Sequence, residues 1–225
     1  MKYDFISIID RRGKDALAVD GLGGGGSAPD APKEGFDAIP MWVADMNFPV
    51  LPAIQEAITE RVKHPAFGYF QPADAYFDAI IDWQRKRNGV TGLTRESIGY
   101  ENGVLGGLVS VLEAFSAPGD AVLLHSPTYI GFTGSISNSG RRIVHSPLKL
   151  DESGVWRMDY ADMDAKIREN KIHVAVFCNP FNPCGRVWER GEIETAMELF
   201  KKYDVTVISD EIWSDIILRG NRHIP

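Results

Sequence analysis

From residue 104 to residue 210, short apolar runs alternate with longer segments in which apolar residues recur at helical spacing. The first pattern is typical of buried strands and the second of amphipathic helices. The alternation predicts helices over 105–115, 129–139, 160–170 and 189–203, and strands over 121–125, 142–145, 173–178 and 205–209. Strands and helices that take turns at these lengths imply right-handed crossovers. The sequence therefore predicts an α/β fold with a mainly parallel sheet.

The first hundred residues carry fewer signals. Apolar residues at helical spacing predict helices over 52–63 and 74–88, with Pro52 in the first turn of one and Gly89 at the end of the other. Residues 1–40 show no such pattern, and the glycine run at 23–26 is typical of a flexible loop.

The last predicted strand, 205–209, is rich in β-branched residues and runs directly into Asp210 and Glu211. Such a run is typical of a strand buried on both faces of a parallel sheet, whose ligands bind beyond the carboxyl ends of the strands. An ionised carboxylate in that place needs a positive partner. Because no Lys or Arg lies close by in sequence, Asp210 is a candidate to face a cationic ligand. A helix cap or a turn is an equally good interpretation of Asp210 alone.

Two Asn-Pro steps lie directly after the predicted strand 173–178, within residues 179–186. They exclude helix and sheet and predict a shaped turn at the strand end. Such a turn can present the amide of Asn182 as a donor to an oxyanion or a phenolate. A turn without any ligand is also compatible with the motif.

Two further signals are weaker. Glycines at 103, 106 and 107 surround the start of the predicted helix 105–115, where backbone N–H groups can hold an anion. Tyr129 follows the strand 121–125 and would place a ring at the same sheet edge, although a core position is the better interpretation of Tyr129 alone. Together the four signals supply an anion cradle, a ring, a neutral donor and a carboxylate. Pyridoxal phosphate, a phosphorylated heteroaromatic ring with a protonatable nitrogen, fits that set.

The composition narrows the remaining possibilities. A net charge of −7 argues against a nucleic-acid-binding surface, and no apolar run reaches transmembrane length. The two cysteines form no disulfide framework and fit a reduced cytosol. The five histidines lack ligand spacing, so no metal site is predicted.

Several motifs carry a resemblance to a known family. Pro-x-Tyr, Asn-Pro-x-Gly and Ser-Asp-Glu, in this order, resemble the fold-type I pyridoxal-phosphate enzymes of the class I/II aminotransferase superfamily. Ile-Asp-Arg-Arg-Gly at 9–13, Met-Trp-Val-Ala-Asp-Met at 41–46, Phe-Gly-Tyr at 67–69 and Asp-Glu-Ile-Trp at 210–213 resemble its MalY/PatB branch. That branch consists of cystathionine β-lyases and related cysteine-S-conjugate β-lyases. The resemblance covers residues 5–225, nearly the whole chain.

The resemblance implies an aminotransferase-like three-layer αβα fold with a mainly parallel mixed sheet, incomplete at its C-terminus. Residues 1–51 would form an N-terminal arm and part of a small domain, and residues 52–225 the large cofactor-binding domain. The family's Schiff-base lysine, in a Ser-x-x-Lys stretch, and its substrate-carboxylate arginine both lie beyond Pro225. Lys201 and Lys202 are poor substitutes. We therefore expect these 225 residues alone to bind pyridoxal phosphate weakly and to turn nothing over.

The resemblance also assigns cofactor contacts. Asp210 would pair with the ring nitrogen, Asn182 would donate to the ring hydroxyl oxygen, and Tyr129 would stack on the ring face. The backbone N–H groups of Val104 and Leu105 would hold the phosphate.

Three more residues receive roles by the same resemblance. Tyr69 would reach the phosphate of a neighbouring subunit, which implies a homodimer, and Ala44 and Asp45 would lie near the amino-acid end of the substrate. The chain departs from the family pattern at Trp213, Cys184 and Asn47, where tyrosine, threonine and aspartate are commoner. The first departure leaves the role of Trp213 unassigned.

The implied protein is a cytoplasmic, homodimeric lyase that releases a thiol, pyruvate and ammonia from cystathionine or a related cysteine conjugate. An aminotransferase would share every assigned residue, and a non-catalytic regulator could retain the fold. A dinucleotide-binding module is disfavoured, because no Gly-x-Gly-x-x-Gly follows a first strand.

Overall fold

The computed structural model describes residues 3–26 and 28–225, and its internal contacts divide the chain into two compact units. The first unit is Met1–Phe70 and the second is Gln71–Pro225. The boundary predicted at residue 51 refers to domains of the complete protein and stays a prediction.

The first unit contains helices α1 (Leu17–Asp20) and α2 (Pro52–Val62). Pro52 occupies the first turn of α2, where its missing N–H costs no hydrogen bond. Only Ala16 and Ala18 are buried among the hydrophobic residues described in this unit, and no residue of α2 is buried. The indole N–H of Trp42 donates to the carbonyl oxygen of Ala18 at 3.0 Å. This unit therefore has almost no core of its own.

The second unit is an α/β fold. Its helices are α3 (Asp74–Asn88), α4 (Val104–Phe115), α5 (Ile130–Asn138), α6 (Tyr160–Asn170) and α7 (Arg190–Lys202), with a 3₁₀ turn at Arg95–Ser97. Its strands are β1 (Ala121–Ser126), β2 (Arg142–Pro147), β3 (Lys149–Leu150), β4 (Trp156–Arg157), β5 (Val174–Cys178) and β6 (Thr206–Asp210). The sheet has the order β2-β1-β5-β6, and every pairing in it is parallel. The predicted fold class is confirmed.

The core of this unit lies on the two central strands. All residues of β5 and the first five of β1 are buried, with Leu112, Phe132, Phe200 and Trp188 packed in the same cluster. Burial of side chains this large accounts for roughly 2 kcal/mol each of the stability. The indole N–H of Trp188 donates to the carbonyl oxygen of Cys178 at 2.9 Å, so even this buried ring is satisfied.

One prediction about local structure is wrong, and one pair of strands was missed. The strand that ends at Asp210 is not buried on both faces: Thr206 to Ile208 are half-buried and Ser209 is exposed, because β6 is an edge strand of the described sheet. The antiparallel pair β3–β4 was not predicted, since each strand has only two residues. Within the described segments, no helix combines the length and the apolar character needed to cross a bilayer.

Candidate functional site

Three of the predicted site residues follow neighbouring strands at one edge of the sheet. Asp210 is the last residue of β6 and pairs in register with Cys178, the last residue of β5. Asn182 lies four residues beyond the end of β5, and Tyr129 lies three residues beyond the end of β1. Because these strands are parallel and adjacent, their carboxyl ends lie at the same edge.

Asp210 is buried, with 6% of its surface exposed. Its Oδ1 accepts a hydrogen bond from the backbone N–H of Ile212 at 3.0 Å. Its Oδ2 has no hydrogen bond, and its carboxylate no ion pair, to any residue in the described ranges. Burial raises the pKa of this carboxyl above its usual value, and the neighbouring charge of Glu211 raises it further. A buried carboxylate without a cation is a costly arrangement, which a positively charged ligand would relieve.

The structure also decides between the two simpler interpretations of Asp210. No helix follows β6 among residues 211–225, so the helix-cap interpretation is wrong. The bond from Ile212 shows that Asp210 does turn the chain, and it uses one carboxylate oxygen to do so. The second oxygen remains available to a ligand.

Asp210 lines a cavity of about 470 Å³ together with one face of α4. Val104, Gly107, Leu108 and Val111 are among the α4 residues on its wall, and the lining is mostly apolar. No lysine lies among the lining residues. The cavity joins the carboxylate to the first turn of α4, which the sequence had predicted as the anion-binding helix.

The N-terminus of α4 is open. Gly103 precedes the helix with φ +80°, a conformation that favours glycine, and no side chain caps the first turn. The first backbone N–H groups of a helix have no intrahelical acceptor and carry the positive end of the helix dipole. The N–H groups of Val104 and Leu105 belong to this turn, so the local geometry suits an anion.

Tyr129 and Leu105, which belongs to this turn, both lie close to Gly131. Tyr129 is 40% exposed, and its ring packs edge-on against Phe132, with ring centroids 5.4 Å apart. A Cβ atom built on Gly131 would lie 2.8 Å from Tyr129 Cζ and 2.9 Å from Leu105 Cδ1. Gly131 therefore lets the ring and the start of α4 approach each other. A purely core role for Tyr129 is wrong, since the residue is exposed.

Asn182 lies in the turn predicted from the two Asn-Pro steps. The turn is closed by a bond of 2.6 Å from the N–H of Phe181 to the carbonyl oxygen of Arg186, and Gly185 has φ +67°. Asn182 is half-buried, and its side-chain amide makes no hydrogen bond to the described part of the chain. It is free to serve as a donor.

The two thiols differ in environment. Cys178 is buried, its Sγ lies 3.2 Å from the carbonyl oxygen of Pro180, and burial raises the pKa of the thiol to about 12. Cys184 is half-buried in the turn that contains Asn182, and its pKa is also raised by burial. Neither thiol is in a disulfide.

Asn179 was not singled out from the sequence, although its place at the strand end was visible. It is buried, and its side chain accepts from the N–H of Trp188 at 3.1 Å and donates to the carbonyl oxygen of Ile224 at 3.1 Å. Its backbone N–H donates to the carbonyl oxygen of Asp210 at 2.9 Å. The signal that could have identified it is the buried strand immediately before it.

The other predicted residues belong to the first unit. Asp45 forms an ion pair with Arg11, and its Oδ1 accepts from the N–H of Met46 at 2.8 Å. The bond from Arg11 is the main reason why the pKa of Asp45 is lowered. Ala44 is exposed and Tyr69 is fully exposed. Their assigned roles stay predictions.

Comparison with known proteins gives the same family as the sequence motifs. A family model described as aminotransferase class I and II matches residues 39–223. Cystathionine beta-lyase PatB of Bacillus subtilis is 40% identical over 84% of this chain and 48% of the relative, and protein MalY of Escherichia coli is 28% identical over 99% and 55%. The PLP-bound C-S lyase of Staphylococcus hominis superimposes with a TM-score of 0.87 at 34% identity, over 99% of this chain and 55% of that one. The chain spans about half the length of the curated relatives that it matches.

Proposed function

Because the chain belongs to the aminotransferase class I and II family, we propose that the protein is a pyridoxal-phosphate-dependent carbon–sulfur β-lyase. Within that family, its motifs and relatives are those of the MalY/PatB branch. Its substrates are cystathionine or related cysteine conjugates, and its products are a thiol, pyruvate and ammonia. The proposal concerns the whole protein.

The observation that carries the proposal is the buried carboxylate of Asp210, which has no protein cation among the described residues and faces a cavity. A protonated ring nitrogen is a suitable partner. At ~3 Å and an effective dielectric constant near 20, such a pair is worth roughly 5 kcal/mol before desolvation. Asp210 would thereby hold a proton on the ring nitrogen. When bound, the cofactor supplies an electron sink for negative charge at the substrate α-carbon.

The neighbouring residues fit the other parts of the cofactor. The open first turn of α4 supports a phosphate on the N–H groups of Val104 and Leu105. The free amide of Asn182 supports a donor role toward the ring hydroxyl oxygen. The exposure of Tyr129 supports stacking of its ring on the cofactor face.

A homodimer is the assembly that we propose, with Tyr69 reaching the phosphate of the partner subunit. The full exposure of Tyr69 and the uncovered surface of α2 support this assembly. Ala44 and Asp45 would lie near the amino-acid end of the substrate, with Arg11 holding Asp45. The two free thiols support a reducing cytoplasmic location.

The base that moves the α-proton would be a lysine, as in the resemblance described above. No described lysine of the second unit lines the cavity, and Lys202 is held by Asp164 at 2.6 Å. We therefore propose that the 225 residues supply the cofactor contacts and that the proton-transferring lysine comes from outside them.

An aminotransferase is the second candidate, because the matching family model carries that name and the same residues would serve it. The test uses protein expressed from its complete reading frame and loaded with pyridoxal phosphate. Pyruvate released from cystathionine without an added keto acid supports the lyase. Turnover only in the presence of a keto acid would replace it with the aminotransferase, and no turnover in either condition would favour a non-catalytic regulator.

A further inference from the structure

The backbone on both sides of Asp210 is held by a closed ring of hydrogen bonds. The carbonyl oxygen of Asp210 accepts from the N–H of Asn179 at 2.9 Å, and the side chain of Asn179 donates to the carbonyl oxygen of Ile224 at 3.1 Å. His223, the residue before Ile224, places its Nε2 2.8 Å from Oε2 of Glu211. Glu211 follows Asp210 in the chain, so the ring closes on the proposed cofactor contact.

His223 is a deeply buried polar residue. Only 2% of its side chain is exposed, whereas 28% of the Glu211 side chain is. A carboxylate can only accept, so Nε2 of His223 is the donor in this bond. The opposite ring nitrogen, Nδ1, is buried and has no hydrogen-bond partner within the described residues. The bond to Glu211 is therefore the one hydrogen bond of this imidazole within the described residues.

Glu211 is fixed from a second direction. Its Oε1 accepts from the hydroxyl group of Ser209 at 2.9 Å, while its Oε2 accepts from His223. The residues before and after Asp210 are thus joined to each other, and that pair is joined to the imidazole. These bonds restrain the backbone at Asp210, and the bond from the N–H of Ile212 restrains its carboxylate.

We propose that His223 is a positioning residue: through Glu211 it holds the tip of β6 so that the free oxygen of Asp210 points at the cofactor ring nitrogen. The inference rests on the proposed function, because Asp210 is the residue through which His223 acts. It adds a role to a histidine that does not line the cavity beside Asp210.

The test exchanges the donor while preserving volume. His223→Gln can place an amide donor where Nε2 lies, and His223→Leu fills similar space without a donor. Asp210→Asn is the reference variant, because its site lacks the carboxylate. All variants are made in protein expressed from its complete reading frame.

Two measurements separate positioning from packing. The first, without cofactor, is hydrogen exchange of the peptides that contain Asn179 and Ile212. The second is the ¹⁵N NMR shift of the ring nitrogen of labelled pyridoxal 5'-phosphate bound to each variant, which reports its protonation. We expect His223→Leu to exchange faster, to lose ring protonation and to bind cofactor about tenfold more weakly, the usual cost of one charge-assisted hydrogen bond. His223→Gln should resemble the wild type in all three.

An equal loss of ring protonation in the Gln and Leu variants would assign His223 to packing and overturn the inference. A wild-type ring-nitrogen shift from His223→Leu would also overturn it. If Asp210→Asn keeps the wild-type ring signal, the proposed role of Asp210 fails, and the exchange data still decide whether the ring of hydrogen bonds exists.

A second pair of variants protects the test against a misfolded His223→Leu. Glu211→Gln keeps an acceptor oxygen for His223, and its amide N–H can donate to the Ser209 hydroxyl oxygen in place of the bond that Ser209 donates to Glu211. Glu211→Met keeps the length and neither bond. The inference requires the Met variant to lose ring protonation and the Gln variant to retain it.

Discussion

The two ends of helix α4 are built in opposite ways. At its C-terminal end, the buried guanidinium of Arg141 donates to the carbonyl oxygens of Leu112 and Ser116 at 3.2 and 2.7 Å and pairs with Glu113. At its N-terminal end, the first turn follows Gly103 and has no side-chain cap. One end is satisfied by the protein itself, whereas the other has no side-chain cap and is the end at which we propose that a phosphate binds. The helix therefore has a structural end and a proposed binding end.

Removal of the Arg141 clamp should have the largest effect. Arg141→Met removes the hydrogen bonds from the guanidinium to the carbonyl oxygens of Leu112 and Ser116 and the partner of Glu113. A hydrogen bond from a charged donor contributes about 1.5–3 kcal/mol, so the loss of two should cost about 3–5 kcal/mol. We expect that loss in the free energy of unfolding, measured by urea denaturation of the apoprotein. The control is Arg142→Met, at an exposed neighbour that donates to Gly119, with an expected loss below about 1 kcal/mol. Equal losses at both positions would contradict the clamp.

Asp210→Asn should have opposite effects on cofactor binding and on the stability of the apoprotein. Loss of the carboxylate should weaken pyridoxal phosphate binding by about a hundredfold, near 3 kcal/mol. The apoprotein should become more stable, because burial raises the pKa of Asp210 in the folded state. A raised carboxyl pKa means that wild-type stability falls as pH rises from the unfolded pKa through the folded one. The gain from Asn should therefore be present at neutral pH and vanish below about pH 3.

Unfolding curves of the two apoproteins across that pH range check the sign. An Asn variant that is less stable than the wild type at neutral pH would show that Asp210 is stabilised by the protein and needs no cationic ligand.

Gly131→Ala should damage the binding end by crowding. Its Cβ would meet the Tyr129 ring and Leu105, and overpacking of this kind costs about 1–3 kcal/mol. Gly134→Ala is the matched control in the same helix, because a Cβ there meets nothing within 4 Å. The control should stabilise the protein by about 0.5–1 kcal/mol through helix propensity. Urea denaturation and cofactor titration of both variants are the measurements, and a harmless Gly131→Ala would refute the close approach.

The smallest effect should come from an added charge at the open end. Val104→Glu places a carboxylate in the first turn, which should stabilise the apoprotein by about 0.3–1 kcal/mol through the helix dipole. The same charge should repel a phosphate and weaken cofactor binding by about tenfold relative to Val104→Gln. Fluorescence titration with pyridoxal phosphate compares the two. Equal affinities would place the phosphate elsewhere.

The sequence predicted elements well where local signals are strong. The bounds of α3 and α6 match the predicted helices, because Gly89 ends α3 with φ +71° and Asp159 caps α6 through the N–H of Asp162. The exposure of β6 was mispredicted, since it depends on which strand lies beside it, and strand order is a tertiary property. Family and fold, inferred from short motifs, are confirmed by the comparisons.

The candidate site was predictable only in part. Residues at strand ends could be identified because a parallel sheet brings such ends together. Arg141 and His223 could not, because their partners lie 28 and 12 residues away and are set by packing. Gly131 carried a faint signal, an isolated glycine in a helix, whose reason becomes clear only beside Tyr129 and Leu105.

The contrast between the two thiols has a practical consequence. In the native protein a thiol-specific alkylating reagent should modify Cys184 slowly and leave Cys178 untouched, whereas the denatured chain offers both. Mass spectrometry that counts the modified sulfurs per molecule therefore measures the fraction of unfolded chains in a mixed population. The rate of alkylation at Cys184 reports whether a bound compound covers the turn beside Asn182.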